Sequence, residues 1–426
     1  MSVETSPGDF TKCPVTGRLF PKRKGIDVYD LDRYERDGVP HEMFRELRVQ
    51  EPVYFHGEPG GRGFWCVTKH ADIIDISRDP LTFSSWRGGS NITDYEQGDL
   101  DAIRMLMVNM DPPQHPKFRK LISKGLTPRM VERLEPKIRE EVDDIINSVI
   151  ERGSADFVRD VAAELPLRVI AELMGIPREE RGLLFDWSNR LIGFDDPEFQ
   201  TSIEDSRIAA MEIWGYANNL AEDRKGKTGE DLVTILVNAE VDGEGISEAE
   251  FDAFFLLLSV AGNETTRNAL SGGMLALFEN PGEWERLKSD PERYVASAVE
   301  EVLRWVTPVS HFRRTATRDV ELRGQKIKED DKVVLFYCAA NRDEEVFADP
   351  YRFDVGRDPN NHLAFGVGEH FCMGASLARL EMKCLFESLI KRMPDIRANG
   401  SVRRLRSNFI NGIKELPVAF TPSSVI

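Results

Sequence analysis

The chain has no long apolar run. Its densest stretch, Phe254 to Ala261, is broken by Ser259 and falls short of the ~18–20 apolar residues that span a bilayer. Cysteine is scarce: Cys13, Cys66, Cys338, Cys372 and Cys384 are an odd set at long spacings, and no CxxC pair occurs. That excludes a disulfide framework and the usual structural zinc site. Positive charge is also short, with 56 Lys and Arg against 73 Asp and Glu and a net charge of −17. Such a surface does not suit nucleic acid over its whole extent. There is no glycine fingerprint for a dinucleotide or flavin. The opening MSVETSPGDFTK has neither the basic head nor the apolar body of a signal peptide, so the expected compartment is the cytosol.

What is present describes a globular chain. Of 426 residues, 41% are hydrophobic and 30% charged, which argues against disorder and leaves one large domain or two or three smaller ones open. Residues 1–25, rich in Pro, Gly and Lys, read as a flexible tail. Glu51 to Val67, with aromatics broken by Gly57–Gly63, reads as a β-hairpin. Most of the remainder has helical periodicity.

Two helices stand out. The first runs from about Ser247 to Asn280, opened by a Ser247–Glu250 capping box and followed by Pro281. At 1.5 Å per residue it is ~50 Å long, about the width of a large domain. FDAFFLLLSVAG is apolar on nearly all sides, as in a helix that threads a core. AGNETT (Ala261 to Thr266) in its middle is too polar for plain core. A helix kink from the glycine and back-bonding hydroxyls is one account of it. The second helix, PERYVASAVEEVLRWVTP, ends before Pro308. VELRG and KVVLFYCAAN follow as β-like segments, then a glycine-punctuated loop runs into a helix, and NFINGIKELPVAF is β-like again.

That loop, FGVGEHFCMG, sets Gly366, Gly368 and Gly374 around Cys372. Glycines allow positive φ and close approach of the backbone. Its N–H groups and the next helix's N-terminus favour a thiolate over a thiol. An anionic sulfur in a protected loop is what an axial iron ligand requires. A buried free cysteine in a tight turn is the plainer account. Phe365 to Arg379, read as FGxGxHxCxGxxLAR, resembles at every fixed position the haem-binding signature of the cytochrome P-450 family.

The resemblance extends from about Asp30 to Pro417 and implies a mainly α fold with a minor β lobe. This is a triangular prism in which a long central helix lies over haem b, formed by residues 26–426 as a single domain. Cys372 would be the iron ligand. His115, Arg119, Arg314 and His370 would hold the propionates, with Ala261, Gly262 and Phe365 against the haem. Arg313 is a rival for Arg314, and the register RxAxxD favours Arg314. Glu301 and Arg304, alone no more than an i,i+3 surface pair, resemble the family's buried Glu–Arg pair, with Arg352 as third partner. Glu264 and Thr265 match the acid–alcohol pair that delivers protons for O–O scission.

Substrate-facing positions by the same resemblance are Trp86, Ile92, Met107, Leu191, Phe194, Trp214, Val260, Val309, Phe312 and Phe409; any one of them is equally at home in plain core. Residues 84–108, with Gly88, Gly89 and Gly98, suit a pocket lid. The implied activity is insertion of one oxygen atom of O2 into a C–H bond of an apolar substrate: a sterol or sterone, a branched fatty acid, or a terpenoid. Electrons would come from a ferredoxin and its NAD(P)H-dependent reductase. Lys117, Arg119, Lys120, Lys124 and Arg129, with Lys383, Lys391 and Arg392, offer it a basic dock, or form an ordinary solvated face. A hydrogen-peroxide-driven peroxygenase and a non-catalytic haem sensor are the competing functions; the Glu264–Thr265 pair opposes the first, and the lack of an output segment the second.

Overall fold

The computed structural model describes residues 10–12, 17, 19–21, 23–123, 126–192, 196, 198, 203–241 and 244–425. Phe194 and Lys124 lie outside them. Helices build the larger part around one helix, Glu248–Glu279. Its start is where the capping box requires: the Ser247 amide donates to the Glu250 carboxylate at 2.9 Å, and the Glu250 amide to Ser247 Oγ at 3.3 Å. Packed on it are Glu164–Met174, Arg181–Ile192, Ile203–Arg224, Pro291–Val306 and Ala375–Arg392. Two glycines let neighbours close in. A Cβ on Gly262 would stand 2.5 Å from Ile170, and one on Gly273 2.6 Å from Val302. The helix runs unbroken through AGNETT. Thr265 Oγ1 donates to the Ala261 carbonyl at 2.8 Å, so the hydroxyl bonds back within a continuous helix.

The minor lobe is a five-stranded sheet in the order Val53–His56, Phe64–Val67, Lys332–Phe336, His311–Ala316, Phe83–Ser84. The first two form the expected hairpin, with Phe55 opposite Trp65. Both faces are covered. Phe55, Trp65, Val333 and Leu335 pack into one cluster, and Tyr54, Phe64, Cys66, Val334 and Phe336 into another, the two-residue alternation of a strand. KVVLFYCAAN is only half strand: Tyr337–Ala340 turns into a short helix.

Glu301 and Arg304 are fully buried and paired through two 2.7 Å contacts. Arg304 also donates to the carbonyls of Asn341 and Pro350, both at 2.9 Å. The third partner is Arg357, whose Nε lies 3.1 Å from Glu301 Oε2. Arg352 does not fill that place. Its side chain is 60% exposed beside Asp354, and only its backbone carbonyl meets Arg304. Asn360 Nδ2 and the Asp354 amide complete the shell around Glu301 at 3.1 and 2.9 Å. One residue earlier, Glu300 reaches the other way, to Arg379 Nε at 2.6 Å and His362 Nε2 at 3.0 Å. Those partners hold its carboxyl at about 2 against the opposing effect of burial. Adjacent acids on one helix therefore brace the loop before Cys372 and the helix after it.

Candidate functional site

The cysteine loop is shaped by its glycines. Gly366 and Gly368 take φ of 69° and 76°, and a Cβ on Gly368 would be 2.7 Å from the Ser77 carbonyl. The Cys372 amide donates to the Phe365 carbonyl at 2.9 Å and closes the loop. Cys372 is exposed on the cavity it lines, and desolvation by the surrounding protein pushes its thiol up. The amides of Gly374 and Ala375 and the charges of Arg119 and Arg379 work the other way and favour thiolate.

The sulfur opens on an apolar cavity. The cysteine segment supplies Phe365, Gly366 and Cys372 to its wall, and the central helix supplies Leu257, Leu258, Ala261, Gly262, Thr265 and Thr266. Ile170, Leu173, Phe254, Val309 and Phe312 extend the apolar lining, and His115, Arg119 and His370 add a polar part. The His115 and His370 rings are 4.2 Å apart. Burial, aided by Arg119 and Arg314, lowers His115 to about 4. Burial, Arg314 and His115 itself lower His370 to about 2. Both imidazoles are therefore neutral donor–acceptors at neutral pH, and His115 Nδ1 is buried without a partner.

The two rival arginines separate cleanly because neighbours on a strand point to opposite faces. Arg313 turns to Asp94 at 2.9 Å. Arg314 lies in the field of His115 and His370 and, among the described residues, its guanidinium donates only to the Arg313 carbonyl, at 2.8 Å. Among the described residues neither Arg119 nor Arg314 has a carboxylate partner. A buried guanidinium, a half-buried one and two neutral imidazoles beside a thiol-bearing apolar cavity match a flat apolar ligand that carries two carboxylates and an iron. Haem fits this donor set.

Not every expected residue meets at the cavity. Met107, Val309 and Phe312 line it; Trp86, Ile92, Leu191, Trp214, Val260 and Phe409 do not. Trp86 lies under the Arg104 guanidinium. Ile92 is in the cluster beneath the sheet. Leu191 packs on the main core, Trp214 is 37% exposed, and Phe409 stands behind Phe312 at 5.7 Å. Val260 misses because the helix presents residues 257, 258, 261, 262 and 265 to the cavity, and 260 falls on another face. Glu264 is buried but turned out of the lining, paired with Arg267. Burial raises its carboxyl, and Arg267 opposes that.

Sequence reasoning missed Val108, Ile170 and Glu381. Glu381 lies on the cysteine helix and lines the cavity. Burial holds its acid well above the usual range, and one oxygen lacks a partner. An acid within an otherwise apolar helix face was the available signal.

The chain is similar to known proteins in sequence and fold. The cytochrome P450 family model matches residues 199–393. A steroid C26-monooxygenase of Rhodococcus jostii (strain RHA1) is 42% identical over 411 residues, spanning 94% of this chain and 86% of that protein. A methyl-branched lipid omega-hydroxylase of Mycobacterium tuberculosis (strain ATCC 25618 / H37Rv) is 43% identical over 407 residues, 93% of this chain and 94% of that one. The structure of a Mycobacterium marinum cytochrome P450 in complex with pseudoionone superposes with a TM-score of 0.87 at 37% identity, covering 93% of this chain and 99% of that chain. Sequence, fold and a donor set suited to haem together place the chain in the cytochrome P450 family, as a haem-thiolate monooxygenase.

Proposed function

We propose that this monooxygenase hydroxylates an apolar, lipid-like substrate: a sterol or sterone, a methyl-branched fatty acid, or a terpenoid. The observation that carries this is the lining of the cavity at Cys372, largely aliphatic and aromatic apart from Thr265, Thr266, Glu381 and the His115–Arg119–His370 group. Such a wall selects by shape and desolvation. The names of the similar proteins point to the same chemistry.

The residue roles follow. Cys372 would hold the iron, with Phe365 beside it on the cavity wall and the Gly374 and Ala375 amides favouring its thiolate. Arg119, Arg314, His115 and His370 would hold the two propionates. Haem, when bound, would supply O2 activation. Thr265 faces the reacting space, and Glu264 moves protons towards it once released from Arg267. Residues 26–426 act as one catalytic domain.

The redox partner is an acidic ferredoxin that docks on the basic surface around Lys117, Lys120 and Arg129, which stand exposed on the helix that carries Arg119 and at the start of the next. Arg392 contributes little to it. Its side chain is 5% exposed, donates to Asn147 at 2.6 Å and lies 3.6 Å from Asp143.

The test titrates the haem-loaded enzyme with cholesterol and with isostearic acid while the Soret band is followed. Turnover then uses NAD(P)H, ferredoxin, reductase and isotopically labelled O2. A Soret shift with either probe, followed by one labelled oxygen in the product, is expected. Product formed from peroxide alone, or product without label, overturns the proposal.

A further inference from the structure

Residues 84–109 carry a charge cluster that the oxidation chemistry does not use. Asp94 sits on an irregular stretch before the helix Gln97–Arg104. Its carboxylate lies 2.9 Å from Arg313 Nη1, 2.9 Å from Lys332 Nζ and 3.2 Å from Arg62 Nη2. Arg313 and Lys332 project from adjacent strands of the sheet, and their side chains are 1% and 0% exposed. The other acid here is Glu58, 2.6 Å from Lys332. The same two cations also grip the backbone of the stretch, Lys332 Nζ donating to the Ile92 carbonyl at 2.8 Å and Arg313 Nη1 to it at 3.3 Å, and the strand beneath holds the next turn, the Arg313 backbone amide donating to the Ser90 carbonyl at 2.8 Å.

The grip is relayed to the cavity. Ser90 Oγ donates to Asn109 Oδ1 at 2.7 Å, and Asn109 Nδ2 to the Ile103 carbonyl at 2.9 Å. Ser90 and Asn109 are both buried. Asn109 ends the turn Met107–Asn109, and Met107 and Val108 line the cavity.

We propose that Asp94 is a positioning residue for substrate selectivity, seating this strap on the Arg313–Lys332 pair so that, through Ser90 and Asn109, Met107 and Val108 hold their places on the substrate-facing wall. This rests on the reading of that wall as the substrate site. The physical cause is charge balance in a dry place. With Asp94 gone, two buried cations share one acid, and a buried charge left without a partner is strongly unfavourable. The seated strap is therefore the state in which those cations are satisfied. A small displacement of a substrate-facing side chain is felt in where the reacting carbon sits.

The experiment compares product distribution, KM and kcat for cholesterol and isostearic acid in the holoenzyme and three variants. Asp94→Asn keeps the shape and removes the charge; Asn109→Ala breaks the relay without touching the charge cluster; Met107→Ala changes the wall itself. Asp94→Asn and Asn109→Ala are each expected to alter the ratio of oxidised positions and to raise KM roughly tenfold, with the thiolate haem spectrum unchanged. Asp94→Glu is expected to restore the wild-type ratio. A merely structural role lowers the melting temperature and leaves the product ratio alone. If Met107→Ala shifts the ratio while Asp94→Asn and Asn109→Ala do not, the positioning role is overturned. If Met107→Ala shifts nothing, the wall assignment fails, and the inference with it.

Discussion

The carboxylate of Glu264 is paired with the guanidinium of Arg267, three residues further along the same unbroken helix, and the acid is 3% exposed. The pair turns Glu264 out of the cavity that Thr265 lines. Removing Arg267 takes away the cation that opposes burial, so the Glu264 carboxyl rises further. In Arg267→Gln the acid limb of the turnover profile is expected to move to higher pH, read as product formation against pH.

Thr265→Ala is expected to keep haem and substrate binding while diverting electrons to hydrogen peroxide. Glu264→Gln slows turnover by about 10²-fold, the usual scale for a lost proton-transfer group. Product and peroxide per NAD(P)H, measured together, check both. Unchanged coupling in Thr265→Ala would remove that residue from proton delivery.

Arg357 and Arg352 are expected to part company. Arg357→Ala strips a nearly buried cation from Glu301, which costs about 3 kcal/mol and loosens the segment before the cysteine loop. Arg352→Ala stays within about 0.5 kcal/mol, as an exposed side chain should. Denaturant unfolding with haem retention as a second readout distinguishes them.

Cys372→Ser is expected to abolish both the thiolate signature in the carbon monoxide difference spectrum and O2-dependent turnover, because a hydroxyl does not supply the electron density of a thiolate. A variant that keeps both would overturn the ligand assignment.

Acid stability has a defined source in His311. Burial holds its imidazole near 3, with its environment otherwise set by Phe336 and Phe409. The unfolded chain titrates near 6.5. The folded form therefore resists protonation, and the stability gained from a neutral His311 is complete above pH ~6.5 and is lost as pH falls from there towards 3. His311→Phe is expected to flatten the dependence of the unfolding midpoint on pH between about 6.5 and 4.

The chemistry at the sulfur was legible from local sequence because it is local. The loop glycines, Cys372 and the following helix lie in one short stretch, and backbone geometry alone aims the amides at the sulfur. The capping box at Ser247 and the alternation around Trp65 were readable for the same reason. The substrate wall was less so. Val260 was misplaced by helical phase, Ile92 and Trp86 by how an irregular segment folds back, and Leu191 and Trp214 by how their helices face the core.

Local patterning, then, settled the glycine-punctuated loop around Cys372 and the long central helix, while Glu264 and Thr265 were singled out as an acid–alcohol pair by family resemblance. Tertiary packing alone decided that Arg357 rather than Arg352 pairs with Glu301, that Arg314 turns to the histidines while Arg313 turns to Asp94, and that Glu264 rests on Arg267. Each is a choice between chemically equivalent side chains, or between faces of one element. Such choices are made by which buried charge finds its partner, across long sequence separations for Glu301–Arg357 and Arg313–Asp94 and within one helical turn for Glu264–Arg267.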